Sequence, residues 1–313
     1  MPKRRIILDC DPGRDDALAI AMVLVSAAEI ELAGITAVAG NVPLALTYRN
    51  ARFICDLCGF PGVPVYAGAD KPLARQPVTG TRAHGESGLE GMAVDVPPVA
   101  IEPGGALAFM ADVLCAAEDD DITLVAIGPL TNVAAFVAEF PGLLRKIRQI
   151  VLMGGASRAV GNVTPAAEFN IYADPHAAAR VLDCGRPMTI VSLDATHQVL
   201  ASPTHAERLA HAGGEPARRL AALLRPAVHS RTARFGPDCL PIHDPCTVAW
   251  LLQPALFRAA PVPVAVETEG THTLGATVVD WWGVTGKPPN ADWVTEVDGE
   301  GVLDLLVERI GRL

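Results

Sequence analysis

The sequence predicts an α/β fold: an open, mostly parallel central sheet with helices on both faces and a small β-rich extension near the C-terminus. Three observations carry it. Apolar strand-like runs alternate with runs of helical periodicity along the chain. That alternation is how a parallel sheet covered on both faces is built. Isolated polar residues also recur just past the apolar runs, at the carboxyl ends where such sheets place ligands.

The elements follow in order. A short apolar run, Ile6-Ile7-Leu8, reads as the first strand, and Pro12-Gly13 as the turn after it. Residues 17–25, almost wholly apolar, read as a buried helix. Further strands are expected over 30–38, 63–66, 122–127, 150–153 and 188–193, with helices over 43–59, 104–118, 130–140 and 174–184 between them. Residues 72–100 are rich in Pro and Gly and read as a long functional loop. Residues 202–235 read as mainly helical, and 244–253 as a helix opened by Asp244-Pro245, acid and proline at its start. The tail from 262 to 313 is expected to hold two or three strands and a last helix. No repeat, low-complexity segment or linker interrupts the chain, so one domain over 1–313 is expected.

Composition narrows the function classes. Half of the 313 residues are apolar, enough for a large core. Only 19% are charged and the net charge is −10, which argues against nucleic-acid or anionic-membrane partners. The seven cysteines are scattered and odd in number, which fits a reducing compartment. Cys55 and Cys58 form a C-x-x-C inside an apparent helix with no second pair, and read as packing. Lys3-Arg4-Arg5 runs straight into the first strand without a signal-peptide core, and no stretch suits a bilayer. A soluble, cytoplasmic protein is expected. Phosphate-loop and dinucleotide fingerprints are missing from the sequence.

The most informative feature is acidic. Asp9, Asp11, Asp15 and Asp16 crowd onto the first strand-to-helix turn. Like charges that close raise one another's pKa unless a cation neutralises them. All donors are oxygen, so the expected cation is hard, Ca²⁺ or Mg²⁺. Helix-dipole preference explains Asp15 and Asp16 but not Asp9 and Asp11 at a strand end. Other polar residues follow later strands: Asn41, Asn132, the group Asn162, Glu168 and Asn170, and His243-Asp244.

The run Asp9-Cys10-Asp11-Pro12-Gly13-Arg14-Asp15-Asp16-Ala17 resembles the signature of the inosine–uridine preferring nucleoside hydrolases. His84-Gly85-Glu86-Ser87-Gly88, Glu168-Phe169-Asn170-Ile171 and His243-Asp244-Pro245 match that family too, in its order, so the resemblance runs from about residue 5 to the C-terminus. It implies a Rossmann-like sheet and Ca²⁺-dependent hydrolysis of the N-glycosidic bond of a ribonucleoside, with an oxocarbenium-like transition state. Carried over by position, the Ca²⁺ ligands are Asp11, Asp16, Asp244 and the backbone carbonyl of Ile127. Asp11 is then also the general base, and His243 the acid for the leaving base. Asp15 and Asn170 bind ribose hydroxyls, Asn162 and Glu168 the 5′ end of the sugar. Asn41 is counted with the substrate site and, like Asp9, is read as orienting the carboxylates. His84 is placed to contact the base or close over it, while His197 reads as structural. The family grips the base with a loop near 78–90 and helical residues near 225–240. Phe235 is the only aromatic in the second stretch, and a pyrimidine-preferring or nonspecific enzyme in nucleoside salvage is expected. The resemblance also implies a homodimer or homotetramer.

Two rival readings stand beside it. A phosphatase of the haloacid-dehalogenase type also ends its first strand in D-x-D around a hard cation, here Mg²⁺, but Pro12-Gly13 departs from that pattern. A non-catalytic nucleoside or sugar binder would hold ligand without turnover.

Overall fold

The computed structural model describes residues 3–96, 105–225, 235–236 and 238–313. Its strands are β1 (Arg4–Cys10), β2 (Ile30–Ala37), β3 (Val65–Ala67), β4 (Ile122–Ala126), β5 (Ile147–Met153), β6 (Met188–Val191), β7 (Leu200–Ala201), β8 (Leu240–Pro241), β9 (Phe257–Val262), β10 (Val264–Val266), β11 (Thr277–Val279) and β12 (Ala291–Val297). The helices are α1 (Arg14–Leu24), α2 (Leu44–Leu57), α3 (Thr81–His84), α4 (Gly105–Cys115), α5 (Thr131–Glu139), α6 (Phe169–Ala173), α7 (Pro175–Leu182), α8 (Leu193–Thr196), α9 (Pro203–Ala212), α10 (Glu215–Ala221), α11 (Asp244–Leu252) and α12 (Gly299–Ile310).

Eight strands form one sheet in the order β3-β2-β1-β4-β5-β6-β12-β9. All neighbouring pairs are parallel except β12 and β9. Both faces are covered, and the two-residue period of a strand shows it directly. Ile6, Leu8 and Cys10 of β1 join one apolar core with α1, α11 and α12, whereas Ile7 joins the other with α4, α5 and α7. Val125 and Leu124 of β4 divide the same way, as do Val151 and Ile150 of β5.

The expected strands and helices up to residue 184 are present with small shifts at their ends. Strand 188–193 is shorter than expected. It ends at Val191 because the Ser192 hydroxyl accepts from the Asp194 amide at 3.2 Å and starts α8 instead. The helical stretch from 202 resolves into α9, α10 and a 3₁₀ turn to Leu224; residues 226–234 lie outside the described ones, as does Pro237. So does most of the candidate base-gripping stretch, and 97–100 of the long loop. The tail beyond β9 holds three strands, β10, β11 and β12, and a last helix, α12, as expected. Only β10 and β11 pair apart; β12 and β9 extend the main sheet, fixed by fully buried Trp293. Cys55 and Cys58 are buried, and burial pushes both thiols up to about 12, so neither is a thiolate near neutral pH. Among the described residues, no helix is long and apolar enough to cross a membrane.

Candidate active site

The strand order sets the position of the site. From β1 the chain steps outward to β2 and β3, then returns past β1 to β4, β5 and β6. That reversal opens a crevice at the carboxyl ends of β1 and β4. The register brings those ends level, with Cys10 opposite Ala37, Asp9 opposite Ala126, and Ala126 opposite Leu152. Residues just past each strand therefore meet around one point.

The turn after β1 is shaped by its own carboxylates. Asp16, on the first turn of α1, accepts from the Gly13 amide at 2.9 Å and the Asp11 amide at 3.1 Å. An acid there satisfies amides that the helix leaves open. Asn41, past β2, donates its own amide to Asp11 Oδ2 at 2.7 Å. Its side-chain Nδ2 reaches the Asp11 carbonyl at 3.1 Å and Asp16 Oδ2 at 3.2 Å. Asn41 thus braces both acids. Asp11 Oδ1, fully buried, has no hydrogen-bond partner among the described residues. The backbone closes on it so tightly that a Cβ at Gly128 would sit 2.6 Å from that oxygen.

Asp244 joins from the far end of the chain. It is buried at the start of α11, which packs on α1. Asp15, Asp16 and Asp244 offer oxygens that all lie within 4.8 Å of one another. Burial first, then the neighbouring carboxylates, drives Asp11 and Asp244 well above the usual carboxylate range. Burial and Asp15 push Asp16 up to about 7. Crowded, buried, all-oxygen acids, with Asp11 Oδ1 unpartnered among the described residues, fit a hard divalent cation, whose charge would reverse these shifts. Asp9, behind them, accepts from Thr36 Oγ1 at 2.6 Å and Asn132 Nδ2 at 2.7 Å, and burial pushes it up to about 7.

Asn170 Nδ2 donates to the Ile127 carbonyl at 3.0 Å and the Met153 carbonyl at 3.2 Å. A carbonyl oxygen has two lone pairs, so Ile127 keeps one for a further partner. Glu168 is the cap of α6: its oxygens accept from the amides of Gly155, Asn170 and Ile171 at 3.1, 2.9 and 3.2 Å. Burial pushes it up to about 7. Asn162 is exposed, and its Oδ1 accepts from the Phe169 amide at 2.9 Å.

The two histidines differ in setting. His84 packs on the aspartate turn, its Nδ1 accepting the Arg14 amide at 3.0 Å. That bond places the proton of the neutral ring on Nε2. Burial lowers its pKa to about 4, so it is neutral near pH 7. His243 precedes Asp244 at the cap of α11, with Nδ1 2.8 Å from Thr196 Oγ1. Its ring lies edge-on to His197 at 5.8 Å, and Phe235 stands edge-on to His197 at 4.8 Å. The structure thus gathers Asp11, Asp15, Asp16, Asn41, His84 and Asp244 around the turn. It leaves Asn162 at the surface and uses the Glu168 oxygens to hold α6.

Sequence reasoning missed several supporting residues. Asp194 accepts from the amides of Ser157, Arg158 and Ala159 and from Trp293 Nε1, fixing the loop after β5. Arg14, inside the aspartate run and buried, donates to the carbonyls of Leu223 and Arg225. Neither has a local spacing signal, because every partner is distant in sequence.

The fold and site have known counterparts. The family model described as inosine-uridine preferring nucleoside hydrolase matches residues 6–304. The chain is 44% identical to the pyrimidine-specific ribonucleoside hydrolase RihA of Klebsiella pneumoniae, over 97% of each chain. Among solved structures it is similar to the purine-preferring ribonucleoside hydrolase of Gardnerella vaginalis, at 31% identity over 98% of each chain and a TM-score of 0.88. A plant nucleoside hydrolase, also 31% identical, covers 99% of each chain with a TM-score of 0.86. A match of this extent sets the phosphatase and the pure binder aside. The chain belongs to the inosine–uridine preferring nucleoside hydrolase family, metal-dependent enzymes that hydrolyse the N-glycosidic bonds of ribonucleosides.

Proposed function

We propose that this chain is a Ca²⁺-dependent, pyrimidine-preferring ribonucleoside hydrolase that works as one domain in cytoplasmic nucleoside salvage, as a homodimer or homotetramer. The observation that carries the metal and the chemistry is the buried Asp11 Oδ1, unpartnered among the described residues, in an acid that interacts with Asp16 and Asp244. Asp11, Asp16, Asp244 and the Ile127 carbonyl would hold the cation. Ca²⁺ suits an all-oxygen set of irregular shape better than Mg²⁺, which demands stricter octahedral geometry. When bound, the cation supplies positive charge for the sugar hydroxyls and makes the attacking water more acidic.

The residues then divide the work. Asp11 Oδ1 takes the proton of the attacking water, while Oδ2 stays fixed by the Asn41 amide. Asp15, half-buried in the acidic group, accepts from a ribose hydroxyl, and Asn170, held on the Ile127 carbonyl, binds the sugar with it. Glu168 and Asn162 shape the 5′ end of the sugar site through the start of α6. His243 donates to the departing base, its ring held through Nδ1 by Thr196.

Ribose release from uridine, cytidine, inosine, adenosine and guanosine, with and without a Ca²⁺ chelator, tests this reading. Uridine and cytidine are expected to turn over fastest, in keeping with the 44% identity to a pyrimidine-specific relative, and chelation to stop turnover. Deoxyuridine should react far more slowly than uridine, because a missing hydroxyl leaves buried polar groups unpaired at roughly 1–3 kcal/mol. Equal rates on the two would remove the ribose clamp.

His243→Ala is expected to lower kcat on inosine by about 10²–10⁴, the scale of general acid catalysis. p-Nitrophenyl riboside, whose leaving group needs no proton, should lose far less. Matching losses on both substrates would rule out the acid role.

A further inference from the structure

We propose that Asn50 of α2 is a positioning residue that latches the 81–90 loop, and His84 with it, onto the Pro12-Gly13 turn. The inference rests on reading that turn as catalytic. Asn50 is fully buried, and its Nδ2 donates to two carbonyls from separate segments, Pro12 and Ser87, each at 2.9 Å. Two hydrogens serve two acceptors, so the donor side is saturated. Oδ1 accepts from Arg49 Nε at 3.1 Å and Nη2 at 2.7 Å, and the same Nη2 reaches the Ser87 carbonyl at 3.1 Å. The guanidinium therefore fixes the amide's orientation.

The loop fits this contact tightly. Gly88 has φ +84°, and a Cβ there would lie 2.7 Å from Asn50 Nδ2 and 3.1 Å from the Pro12 carbonyl. On the far side of the turn, the Arg14 amide donates to His84 Nδ1 at 3.0 Å. Asn50 and His84 thus grip the same turn from two directions, and one end of the loop is fixed independently where the Gly80 amide meets the Asn41 carbonyl at 2.9 Å. Releasing Asn50 frees the 84–90 side of the loop while leaving Asp11, Asp16 and Asn41 bonded to each other.

Asn50→Asp separates positioning from simple bulk. It keeps the size and the acceptor for Arg49, but cannot donate to either carbonyl. In the full-length enzyme, amide exchange over 84–90 is expected to rise about tenfold, the scale of one buried hydrogen bond. KM for uridine should rise by a similar factor with kcat changed less than about threefold, and binding of Ca²⁺ alone should stay unchanged. Combined with His84→Ala, the Asp variant should add no further loss in KM. Unchanged exchange, or raised exchange with wild-type KM, overturns the latch. If Asn50→Asp fails to fold, Gly88→Ala breaks the same contact from the loop and carries the same expectations. Should the native chain release no ribose at all, the functional reading fails while the exchange measurement still decides the latch.

Discussion

Asp11→Asn should reduce kcat on uridine by on the order of 10³ or more and leave the fold intact, since base catalysis alone is worth about 10²–10⁴ and the charge also serves the cation. The substitution is isosteric at a fully buried position. The amide oxygen can still accept from the Asn41 amide, as Oδ2 does now at 2.7 Å. What changes is the other atom. In place of Oδ1, which no described protein group satisfies, stands an NH₂ that can neither take a proton nor bind a cation. Removing one charge also relieves the repulsion that helps raise Asp11 and Asp244, so the metal-free variant should melt no lower than the parent. The decisive result is loss of kcat and Ca²⁺ affinity without loss of Tm. A variant that keeps kcat within about threefold would deny Asp11 the role of base.

The legibility of this chain follows from the range of each interaction. The sheet could be read because buried parallel strands leave continuous apolar runs, and the two-residue period of β1 sends Ile6 and Leu8 to one core and Ile7 to the other. The acidic turn could be read because its residues are neighbours in sequence. The carboxylate that completes it, Asp244, could not be placed by spacing, only through a family resemblance, since α11 reaches α1 by tertiary packing. The strands of the tail could be read, but not that β12 joins the main sheet through β6, about a hundred residues earlier, a pairing that no periodicity records. Glu168 and Asn162, proposed for the sugar, also have a structural role that spacing did not reveal. Their oxygens are engaged by backbone amides at the start of α6, a local capping arrangement whose sequence signal is the same as that of a ligand site. Asn50 and Asp194 left no signal, because a single buried polar residue in a helix looks alike whether it packs or braces a distant loop.

Calcium should stabilise the protein strongly at pH 8 and weakly at pH 5, and the reason lies in the sign of the carboxylate shifts. Asp16 moves from 3.8 in the unfolded chain to about 7 in the folded one, chiefly through burial, and Asp11 and Asp244 move the same way. Without metal, the folded protein therefore binds more protons than the unfolded chain between about pH 4 and 7. Its stability is full below that window and is lost as pH rises through the folded values. A bound cation favours the charged acids and cancels the loss, so its effect grows along with it. At saturating Ca²⁺, about a hundred times Kd, the gain is roughly 2.7 kcal/mol, or several degrees in Tm for a chain of this length. Asp9 and Glu168 carry the same burial-driven shift to about 7 and are outside the proposed ligand set. Some decline with pH should therefore persist even when calcium is present. Melting curves at pH 5 and pH 8, with Ca²⁺ and with chelator, separate the two contributions. An equal calcium shift at both values would mean that the raised acids are not the ones that meet the metal.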